Sequence, residues 1–323
     1  MRLLHVARPC EDLPVMKTAL LFPGQGSQRV GMGRDLAHKF EVAKRTYEEA
    51  DDALGFAISR LCFDGPEDDL TLTKHTQPAI LTTSIAVFRC LQERGLTFEI
   101  VAGHSLGEWS ALVASGAISL RDAVKLTHLR GTFMQDAVPV GVGSMAALMG
   151  LDLETTRAIC AECSQPGEPV ELANLNGGGQ IVISGHAAAI DRAIPACKAA
   201  GAKRAVKLQV SAPFHCSLMK PAADKLAEAL AGITISAPSV PVVANVTAEP
   251  NRDASKIKDL LIQQVTASVR WEESIQAIAK LGVTQAYELG SGSVLKGLVK
   301  RIAETIEVTT IGEPHEVEAV SAA

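Results

Sequence analysis

A serine between two glycines is the feature of this chain from which chemistry can be inferred most directly. The pentapeptide Gly103-His104-Ser105-Leu106-Gly107 follows an apolar run that predicts a buried strand, and it precedes a predicted helix. A serine at such a strand-to-helix turn stands clear of the sheet on a strained backbone, and flanking glycines permit close backbone approach. The amino terminus of the helix would offer free N–H groups to an oxyanion. The pattern therefore predicts acyl transfer through a serine ester.

A serine nucleophile needs a base, and His215 is the leading candidate. It lies just before a predicted helix and just after a segment predicted to form a small domain, so it can face a cleft between domains. His104 adjoins the serine, and its side chain is expected to point away from the reacting group. The remaining histidines lie within predicted helices, in turns or near the chain ends: His5, His38, His75, His128, His186 and His315.

The elements that must position these residues follow an alternating pattern. Apolar runs alternate with helical periodicities along most of the chain, which is typical of an α/β fold. Strands are predicted at 18–22, 98–102, 242–245 and 286–289, and helices at 33–40, 42–54, 76–93, 106–115 and 120–137. Further helices are predicted after Asp253, Trp271 and Ser293, and the residues after Pro314 are expected to be frayed.

The middle of the chain predicts a separate small domain. Residues 142–211 show the order βαββαβ, with Asp152 as the expected N-cap of the first helix, and this order is that of a ferredoxin-like domain. We therefore predict a discontinuous large α/β domain at residues 16–141 and 212–312, interrupted by the small domain. Residues 1–15 are predicted to be an amino-terminal extension.

Composition narrows the class of protein. The chain has 323 residues, 47% of them hydrophobic, which suffices for a large core. Its net charge of −5 argues against a nucleic-acid partner, and no apolar run is long enough to predict a membrane span. No secretory peptide is predicted, and seven scattered cysteines indicate reduced thiols and a cytoplasmic location.

Several further motifs accompany the serine elbow, and together they carry a resemblance. They are Pro23-Gly24-Gln25-Gly26-Ser27-Gln28, Thr76-Gln77-Pro78-Ala79, Arg130-Gly131-Thr132-Phe133-Met134-Gln135, Val269-Arg270-Trp271, and the segments 174–180 and 213–222. In this order and spacing, they resemble the malonyl-CoA:acyl-carrier-protein transacylase family over about residues 18–311. The resemblance implies a large α/β domain with a hydrolase-like, mainly parallel sheet, an inserted ferredoxin-like domain, and a site between the two.

The same resemblance implies an activity and its partners. The family transfers malonyl from malonyl-CoA to the phosphopantetheine thiol of holo acyl carrier protein, through a malonyl-serine ester, and thereby supplies fatty-acid synthesis. It implies no metal and no other cofactor. We expect a monomer with basic residues near the mouth of the site, for which the candidates are Lys203, Arg204, Lys296, Lys300 and Arg301.

Catalytic roles follow from the resemblance residue by residue. Ser105 matches the nucleophile and His215 the general base, which the backbone carbonyl of Gln264 orients in place of a carboxylate. Gln25 and Leu106 match the pair that donates backbone N–H groups to the oxyanion. These residues predict a Ser–His dyad, and the sequence offers no obvious Asp or Glu for a Ser–Asp–His chain order.

The resemblance also assigns substrate contacts. Arg130 matches the residue whose guanidinium fork binds the malonyl carboxylate through two parallel hydrogen bonds. Gln77 and Asn176 are expected to line the site. Phe214 stands where many members have serine, and it resembles the malonyl-selective acyltransferase domains of polyketide synthases. A bulky ring there leaves little room for an α-methyl group, which favours malonyl over methylmalonyl.

Three alternatives stay open at this stage. A stand-alone acyltransferase of a polyketide pathway would share the chemistry and differ in its carrier. A serine esterase would also use the GxSxG pattern, but it would need an acid between the nucleophile and the histidine and would not need Arg130. A non-catalytic module that docks carrier proteins would not need Ser105, His215, Arg130 and Gln25 together.

Overall fold

Two separate β-sheets organise the chain. The computed structural model describes residues 17–210 and 212–320, so the predicted extension at residues 1–15 lies outside the described residues. The strands are β1 (Lys17–Phe22), β2 (Ile100–Gly103), β3 (Gly143–Met149), β4 (Val170–Gly177), β5 (Gln180–His186), β6 (Arg204–Lys207), β7 (Val242–Val243), β8 (Pro250–Asn251), β9 (Val283–Leu289) and β10 (Glu307–Ile311).

Helices cover both faces of the larger sheet. They are α1 (Arg34–Lys39), α2 (Glu41–Leu54), α3 (Ile58–Asp64), α4 (Glu67–Thr71), α5 (Thr73–Glu93), α6 (Gly107–Ala114), α7 (Leu120–Asp136), α8 (Leu153–Cys163), α9 (Ala187–Ala199), α10 (Lys220–Ala231), α11 (Ala254–Thr266), α12 (Trp271–Lys280), α13 (Val294–Ile302) and α14 (Pro314–Ala319). None of these helices is long and apolar enough to cross a membrane.

The larger sheet has the strand order β10-β9-β1-β2-β7-β8. Every pair is parallel except β7 with β8. Strand β1 is buried on both faces, with Leu20 and Phe22 in one core cluster and Ala19 and Leu21 in the other. This pattern is expected of a parallel sheet covered by helices on both sides. The prediction of an α/β fold with a mainly parallel sheet is confirmed.

Register in the larger sheet places two loops side by side. Phe22, the last residue of β1, pairs with Gly103, the last residue of β2. The chain segments that follow these strands contain Gln25 and Ser105, and they therefore leave the sheet at the same edge. In parallel sheets, ligands bind at the carboxyl ends of the strands, so the topology alone brings these two segments to one site.

The smaller sheet has the order β4-β5-β3-β6, and all of its pairs are antiparallel. With α8 and α9 it forms the predicted ferredoxin-like unit, and the Asp152 side chain caps α8 by accepting from the Thr155 N–H. Its edge strand β4 also joins the larger unit, because Leu175 donates to the Val269 carbonyl and Val269 donates to Ala173. We propose the domain limits predicted above, 142–211 for the small domain and 16–141 with 212–312 for the large one.

The structure contains several elements beyond those predicted, among them the edge strands β8 and β10 of the larger sheet. The short helices α3 and α4 were not predicted. The end of the described chain is helical rather than frayed, because the Glu316 carboxylate accepts from the Glu313 backbone N–H and Val317 is fully buried. Local capping and tertiary packing together stabilise this last helix.

Candidate active site

Close backbone packing shapes the turn between β2 and α6. A Cβ atom on Gly103 would lie 1.9 Å from the carbonyl carbon of Gly107, and one on Gly107 would lie 2.0 Å from the Phe22 oxygen. Only glycine fits at these positions. Ser105 lies between them with a φ of 51°, in the left-handed region that costs a non-glycine residue about 1–3 kcal/mol. The predicted strained serine turn is therefore present.

Asn245, which follows β7, stabilises this strained turn through two hydrogen bonds of its side chain. Its Oδ1 accepts from the Ser105 N–H at 2.7 Å, and its Nδ2 donates to the Gly103 carbonyl at 2.7 Å. The Asn245 side chain is almost fully buried. A single amide thus satisfies two backbone groups of the turn, and both of its ends are used.

Ser105, His215 and Gln264 form a chain of hydrogen bonds. Ser105 Oγ lies 2.8 Å from His215 Nε2, and His215 Nδ1 lies 2.8 Å from the Gln264 carbonyl oxygen. Because a carbonyl can only accept, Nδ1 carries the proton and Nε2 of the neutral ring accepts from the serine hydroxyl. No carboxylate is hydrogen-bonded to His215 within residues 17–210 and 212–320. The arrangement can deprotonate the serine without a third acidic residue.

Arg130, on α7, is buried beside the serine. Its Nη1 donates to Gln77 Oε1 at 2.8 Å, and its Nη2 donates to Gln264 Oε1 at 2.9 Å and to Ser105 Oγ at 3.3 Å. Its Nε is buried without a hydrogen-bond partner. Its Nη1, which carries two hydrogens and has Gln77 as its acceptor, keeps one hydrogen to donate to an anion that enters next to the serine.

A cavity of about 240 Å³ opens onto these groups. It lies between the two sheets, since residues of β3 and β4 and of the segment after β6 line one side of it. The predicted site residues on its wall are Ser105, His215, Gln25, Leu106, Arg130, Gln77 and Phe214. The apolar part of the wall consists of Met134, Met145, Leu208 and Val210 together with Phe214. The cavity can accept a small acyl group that carries one negative charge.

Comparison with known proteins identifies the family. The family described as "Acyl transferase domain" matches residues 19–311. The chain belongs to the acyl transferase domain family. The malonyl CoA-acyl carrier protein transacylase of Salmonella typhimurium is 49% identical to it over 302 residues, which cover 93% of this chain and 97% of that protein.

Solved structures agree with this membership of the acyl transferase domain family. The acyl-carrier-protein-S-malonyltransferase of Bartonella henselae matches with a TM-score of 0.91 and 49% identity, over 94% of this chain and 98% of that one. A malonyl-transacylase solved in complex with its type II PKS acyl-carrier protein matches with a TM-score of 0.91 and 46% identity, with the same coverage of both chains.

Electrostatics in this acyl transferase domain keep the histidine neutral. Burial and, after it, the positive charge of Arg130 together lower the pKa of His215 to about 3, against the opposing effect of the Gln264 carbonyl. Burial also lowers the pKa of Arg130 to about 10, which leaves the guanidinium charged at neutral pH. At pH 7 His215 is therefore a free base, and Arg130 is the positive charge of the site.

Glu108, in the first turn of α6, is a buried carboxylate beneath the serine. Its Oε2 accepts from Gln264 Nε2 at 2.7 Å and from the Asn245 backbone N–H at 3.0 Å. Burial raises its pKa to about 7, and these two hydrogen bonds and the charge of Arg130 oppose the rise. Glu108 and the Asn245 side chain were not predicted to belong to the site.

One prediction about the cavity wall differs from the structure. Asn176 does not line the cavity, because its Oδ1 is hydrogen-bonded to His104 Nε2 at 2.8 Å; Asn174, two residues earlier on β4, lies on the wall in its place. His104 is among the residues of the cavity wall, and its ring packs edge-on against Trp271 and links the serine turn to the small sheet through Asn176. That its side chain points away from the reacting group stays a prediction.

The sequence did contain signals for the two residues that were missed. Glu108 is the one charged residue of the segment Gly107–Ala114, where an acid in an apolar helix indicates a buried partner. Asn245 ends an apolar run at the carboxyl edge of the sheet, where polar residues commonly belong to sites.

Proposed function

We propose that this protein transfers a malonyl group from malonyl-CoA to the phosphopantetheine thiol of acyl carrier protein, through a malonyl ester of Ser105. The observation that carries the proposal is the juxtaposition of a Ser–His dyad with a buried arginine whose Nη2 lies 3.3 Å from the nucleophilic oxygen. The names of the relatives and the carrier complex of one structural neighbour support the same activity.

In the first half-reaction Ser105 attacks the thioester carbonyl. His215 Nε2 takes the hydroxyl proton as the new C–O bond forms, and it returns that proton to the CoA sulfur as the C–S bond breaks. The developing oxyanion is proposed to bind the backbone N–H groups of Gln25 and Leu106, which both lie on the cavity wall. Each such donor is worth about 3–4 kcal/mol of transition-state stabilisation.

Arg130 selects the acyl group in this proposal. The substrate carboxylate accepts from the guanidinium, which the hydrogen bonds to Gln77 and Gln264 hold in place. Phe214 lies on the same wall and narrows the space for an α-methyl group. The second half-reaction repeats the chemistry in reverse: His215 takes the proton of the carrier thiol as the new C–S bond forms, and it returns that proton to Ser105 Oγ as the ester C–O bond breaks.

A steady-state assay of carrier loading tests the proposal. Malonyl-CoA and holo acyl carrier protein are both varied, and the mass of the carrier is followed. We expect parallel double-reciprocal lines, because the acyl-enzyme separates the two half-reactions. Arg130→Ala should lower malonyl loading at least about 100-fold, since two hydrogen bonds to a charged group are worth about 3 kcal/mol or more.

The matched control is Arg89→Ala, which removes an arginine of α5 that pairs with Glu49 of α2 and does not line the cavity. It should leave malonyl loading unchanged. Hydrolysis of simple esters without any carrier loading would contradict the proposal and favour a serine esterase.

A second candidate differs only in the carrier. One structural neighbour was solved with a type II PKS acyl-carrier protein, so a polyketide carrier is an alternative acceptor to that of fatty-acid synthesis. Competition between the two holo carriers for one pool of acyl-enzyme separates the candidates. One chain holds the dyad, the oxyanion pair and Arg130, so we propose a monomer, and we propose a cytoplasmic location from the scattered cysteines.

A further inference from the structure

Glu108 is a buried carboxylate to which the proposed reaction gives no part. Only 3% of its surface is exposed, and burying an ionised carboxylate costs several kcal/mol unless charges and hydrogen bonds offset that cost. Its contacts are confined to the groups around the nucleophile: the Gln264 side chain and the Asn245 backbone. This placement indicates a role in the site rather than in the general stability of the helix.

The side-chain amide of Gln264 connects Glu108 to Arg130. Gln264 Nε2 donates to Glu108 at 2.7 Å, and Gln264 Oε1 accepts from Arg130 Nη2 at 2.9 Å. An arginine can only donate and an ionised carboxylate can only accept. The order Arg130–Gln264–Glu108 therefore permits one of the two orientations of the amide, which the Ser105 carbonyl also favours by accepting from Nε2 at 3.0 Å.

This indirect pairing leaves the guanidinium available to a substrate. In the described part of the chain, Arg130 makes no ion pair with a carboxylate at salt-bridge distance, and Glu108 is the one carboxylate whose charge acts on its pKa. A directly paired arginine would have its donors occupied. Because Gln264 separates Arg130 from its counter-ion, Arg130 keeps its charge and the second hydrogen of Nη1.

We propose that Glu108 is a positioning residue for acyl selection: through the Gln264 amide, it fixes Arg130 in the orientation that receives an acyl carboxylate. The inference rests on the function proposed above. It predicts that Glu108 affects the choice between carboxylated and uncarboxylated acyl groups more than the reactivity of Ser105. The carbonyl that orients His215 belongs to the backbone of α11 and does not depend on the charge of Glu108.

The test compares acylation by malonyl-CoA and by acetyl-CoA in Glu108→Gln at pH 8, where the native carboxylate is ionised. Glutamine keeps the shape of the side chain and an acceptor oxygen, and it removes the charge. We expect the ratio of malonyl to acetyl acylation rates to fall at least tenfold, with acetyl acylation changed less than threefold.

Glu288→Gln is the matched control. Glu288 is a second fully buried carboxylate, and it accepts from the Leu295 and Lys296 backbone N–H groups at the start of α13. Its replacement should leave the malonyl-to-acetyl ratio at the native value. If Glu108→Gln fails to fold, Gln264→Met tests the same link, because it removes the amide while keeping the backbone carbonyl, and it should lower the ratio equally; it also removes the bond of Nε2 to the Ser105 carbonyl, so both acylation rates should fall.

The double variant Glu108→Gln/Arg130→Ala distinguishes the possible outcomes. If Glu108 acts through Arg130, its replacement should change the ratio no further in the Arg130→Ala background. An equal loss of malonyl and acetyl acylation in folded Glu108→Gln would overturn the inference, and so would a further fall of the ratio without Arg130. If Arg130→Ala alone leaves the ratio unchanged, the selector role of Arg130 in the proposed function fails instead.

Discussion

Replacing Asn245 with alanine tests whether one buried amide holds the strained serine. The substitution leaves the Ser105 N–H and the Gly103 carbonyl without the partners that lie 2.7 Å away in the native protein. Each buried polar group left unsatisfied costs about 1–3 kcal/mol, so the two together predict a loss of about 2–6 kcal/mol in the free energy of unfolding. Ser105 should also leave its φ of 51° more readily.

The assay is guanidinium unfolding, combined with the rate of malonyl-CoA acylation at equal protein concentration. Acylation should fall about 10- to 100-fold, which corresponds to about 1.4–2.8 kcal/mol of lost positioning. Asn251→Ala is the control, since that side chain bonds Asp253 at the exposed end of the sheet, and it should change the free energy of unfolding by less than about 1 kcal/mol. A loss below 1 kcal/mol for Asn245→Ala, with native acylation, would refute the reasoning.

Two further predictions concern the base and the turn. The pKa of His215 is lowered to about 3, and protonation of Nε2 abolishes base catalysis. We therefore expect kcat/KM for p-nitrophenyl acetate to stay level from pH 8 to pH 5. Loss of most of the activity by pH 5 would indicate that the pKa of His215 is not lowered. In Arg130→Ala the acid side of this pH profile should move to higher pH, because the loss of a positive charge beside His215 raises the pKa of the histidine. Gly107→Ala should lower the free energy of unfolding by about 1–3 kcal/mol, because the added Cβ meets the Phe22 oxygen. The control Gly232→Ala should not lower it, since its Cβ meets nothing within 4 Å. Equal melting temperatures of the two variants would contradict the turn geometry.

The sequence predicted the fold where its signals were local. Strand β1, the helices that flank it and the ferredoxin-like order follow from periodicity and caps such as Asp152, and all of them are present. Helix α4 has five residues and lies just after Gly65-Pro66, so it shows too little periodicity to be predicted. Helix α14 has a local signal in the capping pair Glu313 and Glu316, but the burial of Val317, which also stabilises it, is a tertiary contact that the local sequence does not encode.

The residues of the candidate site also divide into those that local motifs predict and those that they do not. Ser105, His215 and Arg130 belong to short motifs, and the structure brings the three together. The supporting network connects residues far apart in the chain: Asn245 is 140 positions from Ser105, and Gln264 is 156 positions from Glu108. No local pattern links such residues. The amide that orders the site therefore became evident only from the packing of α11 against the serine turn.

The central claim is that Ser105 carries the acyl group, and peptide mapping tests it most directly. The protein is mixed with malonyl-CoA without carrier, quenched in acid, digested, and analysed by tandem mass spectrometry. We expect a malonyl ester on Ser105, and none in Ser105→Ala. Ser110→Ala, which removes a buried hydroxyl five residues after Ser105, should keep the ester. A malonyl group on another residue, or one that persists in Ser105→Ala, would contradict the account.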